Sequence, residues 1–139
     1  MDTVRTGGNV KINSVRIETV SPKLMAYRTV GDWGITGTHL WIKIADTGNW
    51  SYNMLVAVHE LVEALLCAYL GISESRVTKF DLAHQGDDDP GSHPKAPYHD
   101  QHMVAMGIEM ILSVALGIKW RPYEKVLDRT SMKAPLGKK

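Results

Sequence analysis

A chain of 139 residues, 44% of them hydrophobic, is long enough to bury one core and too short to need a second domain. Its 16 lysines and arginines stand against 15 aspartates and glutamates, a net charge of +1, which removes any electrostatic reason to expect nucleic acid or a membrane surface as partner. The one cysteine, Cys67, has no mate for an internal disulfide and reads as a packed core thiol in a reducing compartment.

The first residues, Met1 to Gly8, carry no apolar run after their charges, so no secretory signal is expected. Val10, Ile12, Val15, Ile17 and Val20 are β-branched and roughly alternate with polar residues, until Ser21-Pro22 breaks the run. A second strand is expected from Leu24 to Val30, a turn over Asp32 to Gly37, and a third strand from His39 to Ala45. Three strands with short connections predict an antiparallel meander, with His39 on its surface.

Asn49 or Ser51 is placed to cap a long helix that ends at Gly71. From Met54 to Leu70 this helix is apolar all round except for Tyr69 and the group His59, Glu60 and Glu63, so it is built to be buried on most sides. At about 100° per residue, Glu63 stands roughly 40° round the axis from His59 and one turn further on, with Glu60 beside them. Unpartnered, such groups are costly to desolvate, and a bound cation is the simplest common partner. The apolar run is at the short end for a bilayer span and is broken by ionisable groups, which favours a soluble core helix.

A shorter helix follows from Ser73 to about Ala83, with Val77 and Phe80 turned inward and Asp81 near its end. Residues Gln85 to Tyr98 form the longest loop; Asp87-Asp88-Asp89 reads as a solvated turn, and His84 and His93 as exposed. A second buried helix is expected from Asp100 to Leu116, where His102, Glu109 and Ser113 fall along one line. Two apolar helices, each with a narrow polar stripe, satisfy those stripes best by facing each other. A last helix starts at Pro122 and runs to about Asp128, and residues 130–139 form a basic tail expected to be disordered. The prediction is one α+β domain over residues 1–129: a meander packed on a central helix, then three further helices.

A meander followed by a buried helix bearing His59-Glu60-x-x-Glu63 resembles the zincin-like metallopeptidases, with Glu63 where that family carries its second histidine. The resemblance implies a divalent metal, zinc before others, held by His59, Glu63 and a third ligand from the later helix. It also implies Glu60 as the general base for hydrolysis of an amide bond in a protein or peptide. His102 is the first candidate for third ligand, ahead of Asp81 and His99, and Glu109 is better placed to orient an imidazole. Ala96-Pro97-Tyr98 with Gln101-His102 is in addition similar to a group of uncharacterised phage and bacterial proteins that pair His-Glu-x-x-Glu with a later Ala-Pro-Tyr-x-x-Gln-His, a likeness that implies no activity. The expected location is the cytoplasm, that of the host if the chain is phage-encoded.

Other readings stay open. The same residues suit a non-catalytic phage accessory or interaction protein, in which a structural metal or a buried His/Glu cluster joins two helices. His59, His99-Asp100 and Asp128 follow the order found in phosphohydrolases of the HD type, and Glu60-x-x-Glu63 resembles half of a nucleoside triphosphate pyrophosphatase motif; both of those folds are helical throughout. Oligomeric state is left undetermined.

Overall fold

The computed structural model describes residues 9–87 and 89–138. The N-terminal stretch expected to lack a secretory signal, Asp88 of the acidic triplet and Lys139 lie outside them. Three strands, β1 (Ser14–Val20), β2 (Gly31–Thr36) and β3 (His39–Ala45), precede four helices, α1 (Trp50–Leu70), α2 (Glu74–Ala83), α3 (His99–Ala115) and α4 (Trp120–Ser131). Short 3-10 turns occupy Pro22–Leu24 and Pro90–Ser92.

The α+β class stands, but the sheet is not a meander. Its order is β1-β3-β2, with β1 parallel and β2 antiparallel to β3. The strand expected over Leu24 to Val30 is instead the 3-10 turn and a run of bends, while the glycine-rich segment read as a turn is β2. Close approach is what those glycines provide: a Cβ at Gly31 would lie 2.5 Å from Glu60 Cγ, and one at Gly34 would lie 2.1 Å from Trp41 Cζ2. The true turn is Gly37-Thr38, a two-residue hairpin loop in which Gly37 takes φ +64°. β3 is central because its alternate residues Leu40, Ile42 and Ile44 form the most continuous apolar face, and all three are buried.

That face is covered by α1. Asn49 caps the helix, its side-chain oxygen accepting the Ser51 and Tyr52 amides at 3.0 and 3.3 Å. Gly71, at φ 74°, ends it, with the Ile72 amide turned back to the Cys67 carbonyl at 2.9 Å. Leu55, Val56, Ala64 and Cys67 are buried in the core with β3, Tyr98 and Tyr123. At 21 residues α1 is long and apolar enough by those measures to cross a bilayer, longer than the run judged short from sequence; in the fold it is the core helix, with His59, Glu60 and Glu63 among its buried residues.

α2 starts at its predicted cap, Ser73, and turns Val77 inward. α3 departs from expectation. It packs on α1 along a stripe that buries His102, Ala105, Glu109 and Ser113, and leaves Ile111 71% and Val114 80% exposed, so it is not a buried helix. α4 runs past Asp128 to Ser131 and buries Tyr123. In the segment expected as a tail, Ala134 is buried with Met25 and Ala45, and the Gly137 amide donates to Gln85 Oε1 at 2.8 Å. His84 and His93 are half-buried rather than exposed, both against the Phe80 ring.

Candidate metal centre

One turn of α1 separates His59 from Glu63 and brings both to the side that meets α3, whose first turn sets His102 against them. His102 is seated there by the Pro90–Ser92 turn: a Cβ on Gly91 would lie 2.4 Å from the imidazole, so only glycine lets the ring pack on that backbone. The facing atoms form a small triangle. His59 Nε2 lies 3.3 Å from Glu63 Oε2 and 3.1 Å from His102 Nδ1, and His102 Nδ1 lies 2.9 Å from Glu63 Oε2. All three residues are buried and make up a group able to hold a metal ion. Zinc bonded at about 2.0–2.1 Å in a tetrahedron separates neighbouring ligand atoms by about 3.3–3.4 Å, close to these edges.

Every ligand residue is held from behind. His59 Nδ1 is 2.7 Å from Glu109 Oε1, and the other oxygen of Glu109 accepts the Tyr123 hydroxyl. His102 Nε2 is 3.0 Å from Asp89 Oδ2, which also accepts the Ser92 hydroxyl. Trp33 Nε1 donates to Glu63 Oε1 at 3.2 Å. Carboxylates accept only, so the outer nitrogen of each imidazole donates its N–H, and the inner nitrogens His59 Nε2 and His102 Nδ1 are left with lone pairs aimed at the centre when the rings are neutral. Carboxylate, histidine and cation in line is the usual outer arrangement of a metal site.

Without a cation these inward lone pairs attract protons. Burial disfavours charge on His59, but hydrogen bonds to Glu109 and Glu63 outweigh it and hold the imidazole well above its usual range. His102 is likewise opposed by burial and raised to about 9 by Asp89 and Glu63. Glu63 would be raised by burial, yet its hydrogen bonds to His102 and His59 bring it down to about 2. Both imidazoles are thus biased towards the charged form, whose inner N–H groups point into the space a dication would take, so protons and an ion compete for it.

Glu60 differs from its neighbours. It is 9% exposed, and among the described residues the buried side-chain polar atom left without a partner is Arg28 Nε rather than a Glu60 oxygen. Burial, and next the negative charge of Glu63, push it well above the ordinary carboxyl range. Its stem and its carboxyl group both lie against Gly31 at the start of β2.

Of the remaining residues singled out in the sequence, Asp81 accepts the hydroxyls of Tyr27 and Tyr98 and stands outside the group. Burial is the main cause of its rise to about 7. His99 faces the Gly91 carbonyl at 3.1 Å, and Ser113 turns its hydroxyl back to the Met110 carbonyl at 2.6 Å. Asp100 and Asp128 are exposed on α3 and α4, and three strands are present, so neither the HD-type nor the pyrophosphatase arrangement is formed. Two further residues reach the group from segments that carry no motif, Trp33 and Asp89. Trp33 falls where the sequence predicts a turn and Asp89 where it predicts a solvated triplet; the one local signal is that Asp89 precedes Pro90-Gly91, a turn able to bring its carboxylate back onto α3.

No protein-family model matches this sequence, no curated protein matches it, and no solved structure matches its fold.

Proposed function

We infer that this protein is a divalent-metal-dependent hydrolase of zincin-like build, with zinc as the first candidate, His59, Glu63 and His102 as its ligands, and an amide bond of a protein or peptide as the substrate. The observation that carries this reading is the buried group of His59, Glu63 and His102, able to hold a metal ion, with the carboxyl of Glu60 buried on the same turn of α1. Three protein ligands is the count of a catalytic zinc site, whereas structural sites take four. The chemistry a bound ion supplies is Lewis acidity. The chain's own residues do the rest: Glu109 and Asp89 fix the two imidazoles, Trp33 holds one oxygen of Glu63 and frees the other, and Glu60 takes up and returns a proton. Positive charge in the group favours the ionised form of Glu60 that a proton acceptor needs.

A second reading has an observation of its own. The cluster ties together α1, α3, the turn before α3 and, through Tyr123, α4, and nearly every polar atom in it is satisfied. A metal, or the hydrogen bonds alone, would then serve to join helices in a non-catalytic accessory protein. Glu60→Gln separates the two. On the hydrolase reading it keeps the metal and the fold and abolishes cleavage of a peptide library by the metal-loaded protein. Cleavage at the unchanged rate in Glu60→Gln contradicts the role given to Glu60, and its absence from the metal-loaded parent protein favours the structural reading.

A further inference from the structure

The two free edges of the sheet are treated in opposite ways. β2 turns the amides of Gly31, Trp33 and Ile35 away from β3, and each is met by a side chain: Thr29 Oγ1 at 3.3 Å, Asp32 Oδ1 at 3.0 Å and Glu74 Oε1 at 3.2 Å. Side chains that occupy outward amides protect an edge against further strand pairing. Among the described residues β1 has no such protection. Its even-numbered residues point their peptide groups to β3, as the Val20 carbonyl accepting the Asp46 amide at 2.8 Å shows, so Val15, Ile17 and Thr19 point theirs outward. Among the described residues nothing meets them.

The side chains of β1 are equally uncovered. Val15 and Ile17 stand in register with Leu40 and Ile42, on the face that α1 covers over β3, yet they are 43% and 44% exposed. The apolar face of the sheet thus continues one strand beyond its cover and ends at an open edge.

We propose that β1 is a homodimer strand: two copies of this chain pair their β1 strands antiparallel about Ile17 and join their sheets into one. The occupant is identified by the charges on the strand. Arg16 and Glu18 flank Ile17 on the opposite face and lie 3.5 Å apart within one chain. Antiparallel pairing about Ile17 sets each Arg16 against Glu18 of the second copy, and Val15 against Thr19. The outward residues then oppose one another, so every outward amide and carbonyl of Val15, Ile17 and Thr19 finds a mate. Pairing about Arg16 or about Glu18 would oppose like charges and leave part of the strand unmatched. A strand complementary to itself in both charge and backbone parity fits a second copy better than an unrelated chain. This inference is independent of the metal centre.

Sedimentation velocity on the full chain across a range of concentrations, with charge variants, is the test. The parent chain is expected to dimerise. R16E and E18R, each of which opposes like charges across the pair, are expected to weaken association about tenfold or more. An equimolar mixture of the two should form a heterodimer, and the double variant R16E/E18R should recover the homodimer, which also shows that the variants fold. I17P should be monomeric, because it removes an outward amide that the pairing with β3 does not use. A parent chain monomeric at every concentration overturns the proposal. So does a dimer that R16E, E18R and I17P leave unchanged, which would place the interface elsewhere, as on the exposed face of α3.

Discussion

α1 and α3 look alike in sequence and are used differently in the fold. Both are almost wholly apolar, and each carries polar residues one or two turns apart. α1 is wrapped by the sheet on one side and α3 on another, so its apolar and its polar residues are buried together. Among the described residues α3 lies chiefly on α1 and the Pro90–Ser92 turn, so it buries the polar stripe and leaves Val104, Met110, Ile111 and Val114 exposed. An ordinary surface helix does the reverse. What docks α3 onto the body is therefore in large part the His59–Glu109 and His102–Glu63 contacts, rather than a continuous apolar seam.

That contrast can be broken at several points. Removing His59 has the largest expected effect: His59→Ala takes away the imidazole between Glu109 and Glu63, leaves Glu109 a buried carboxylate with only the Tyr123 hydroxyl, and should cost the metal-free protein about 3–5 kcal/mol in a urea titration, with loss of the metal as well. Leu55→Ala, in the seam between α1 and the sheet, should cost about 2–5 kcal/mol and leave metal affinity nearly unchanged. Asp89→Asn keeps the shape of the outer partner of His102 but removes its charge, and should weaken zinc binding by about 10–100-fold in a competition titration.

The His102 contact should also be visible in pH dependence. Burial opposes the charged ring, but Asp89 and Glu63 raise its pKa from the usual 6.5 to about 9. A group raised on folding stabilises fully below its unfolded value and loses that contribution as pH climbs through the folded one. The melting temperature of the metal-free protein should accordingly fall between pH 6.5 and about 9, and His102→Gln should flatten that segment of the profile. Zinc affinity should rise over the same window, because the ion displaces the protons. The smallest effect is expected on the exposed side of α3, where Val114→Ser should change stability by no more than about 0.5 kcal/mol. A loss as large as that of Leu55→Ala would show that this face is covered in solution.

The sequence makes the polar stripes legible because they are exceptions in apolar helices, and exceptions need partners. That reasoning brings His59, Glu63 and His102 together; cap and stop signals separately mark Ser73, Gly71 and, of the two candidates Asn49 and Ser51, the Asn49 that caps α1. The sheet is less legible. Gly31, Gly34 and Gly37 carry the same turn signal, yet the first two sit in β2 because Glu60 and Trp41 come too close for any side chain, and only Gly37 turns the chain. Sequence order likewise suggests a meander, whereas β3 takes the centre because its apolar face is the one α1 covers. The burial of α3 could not be read, since an apolar run does not say how many neighbours it will find. Asp89 and Trp33 were hidden for a related reason: each meets the site from a segment with no pattern of its own.

The central claim is that His59, Glu63 and His102 hold a divalent cation with Glu60 beside it and not bonded to it. Elemental analysis of the protein purified without a histidine tag, then stripped and reloaded with zinc, measures this directly when done in parallel on Glu60→Gln and His102→Ala. The account predicts one equivalent of metal in the parent protein and in Glu60→Gln, and its loss from a folded His102→Ala. Loss from Glu60→Gln would make Glu60 a ligand, and a parent protein with no stoichiometric metal and no affinity for added zinc would contradict the claim outright.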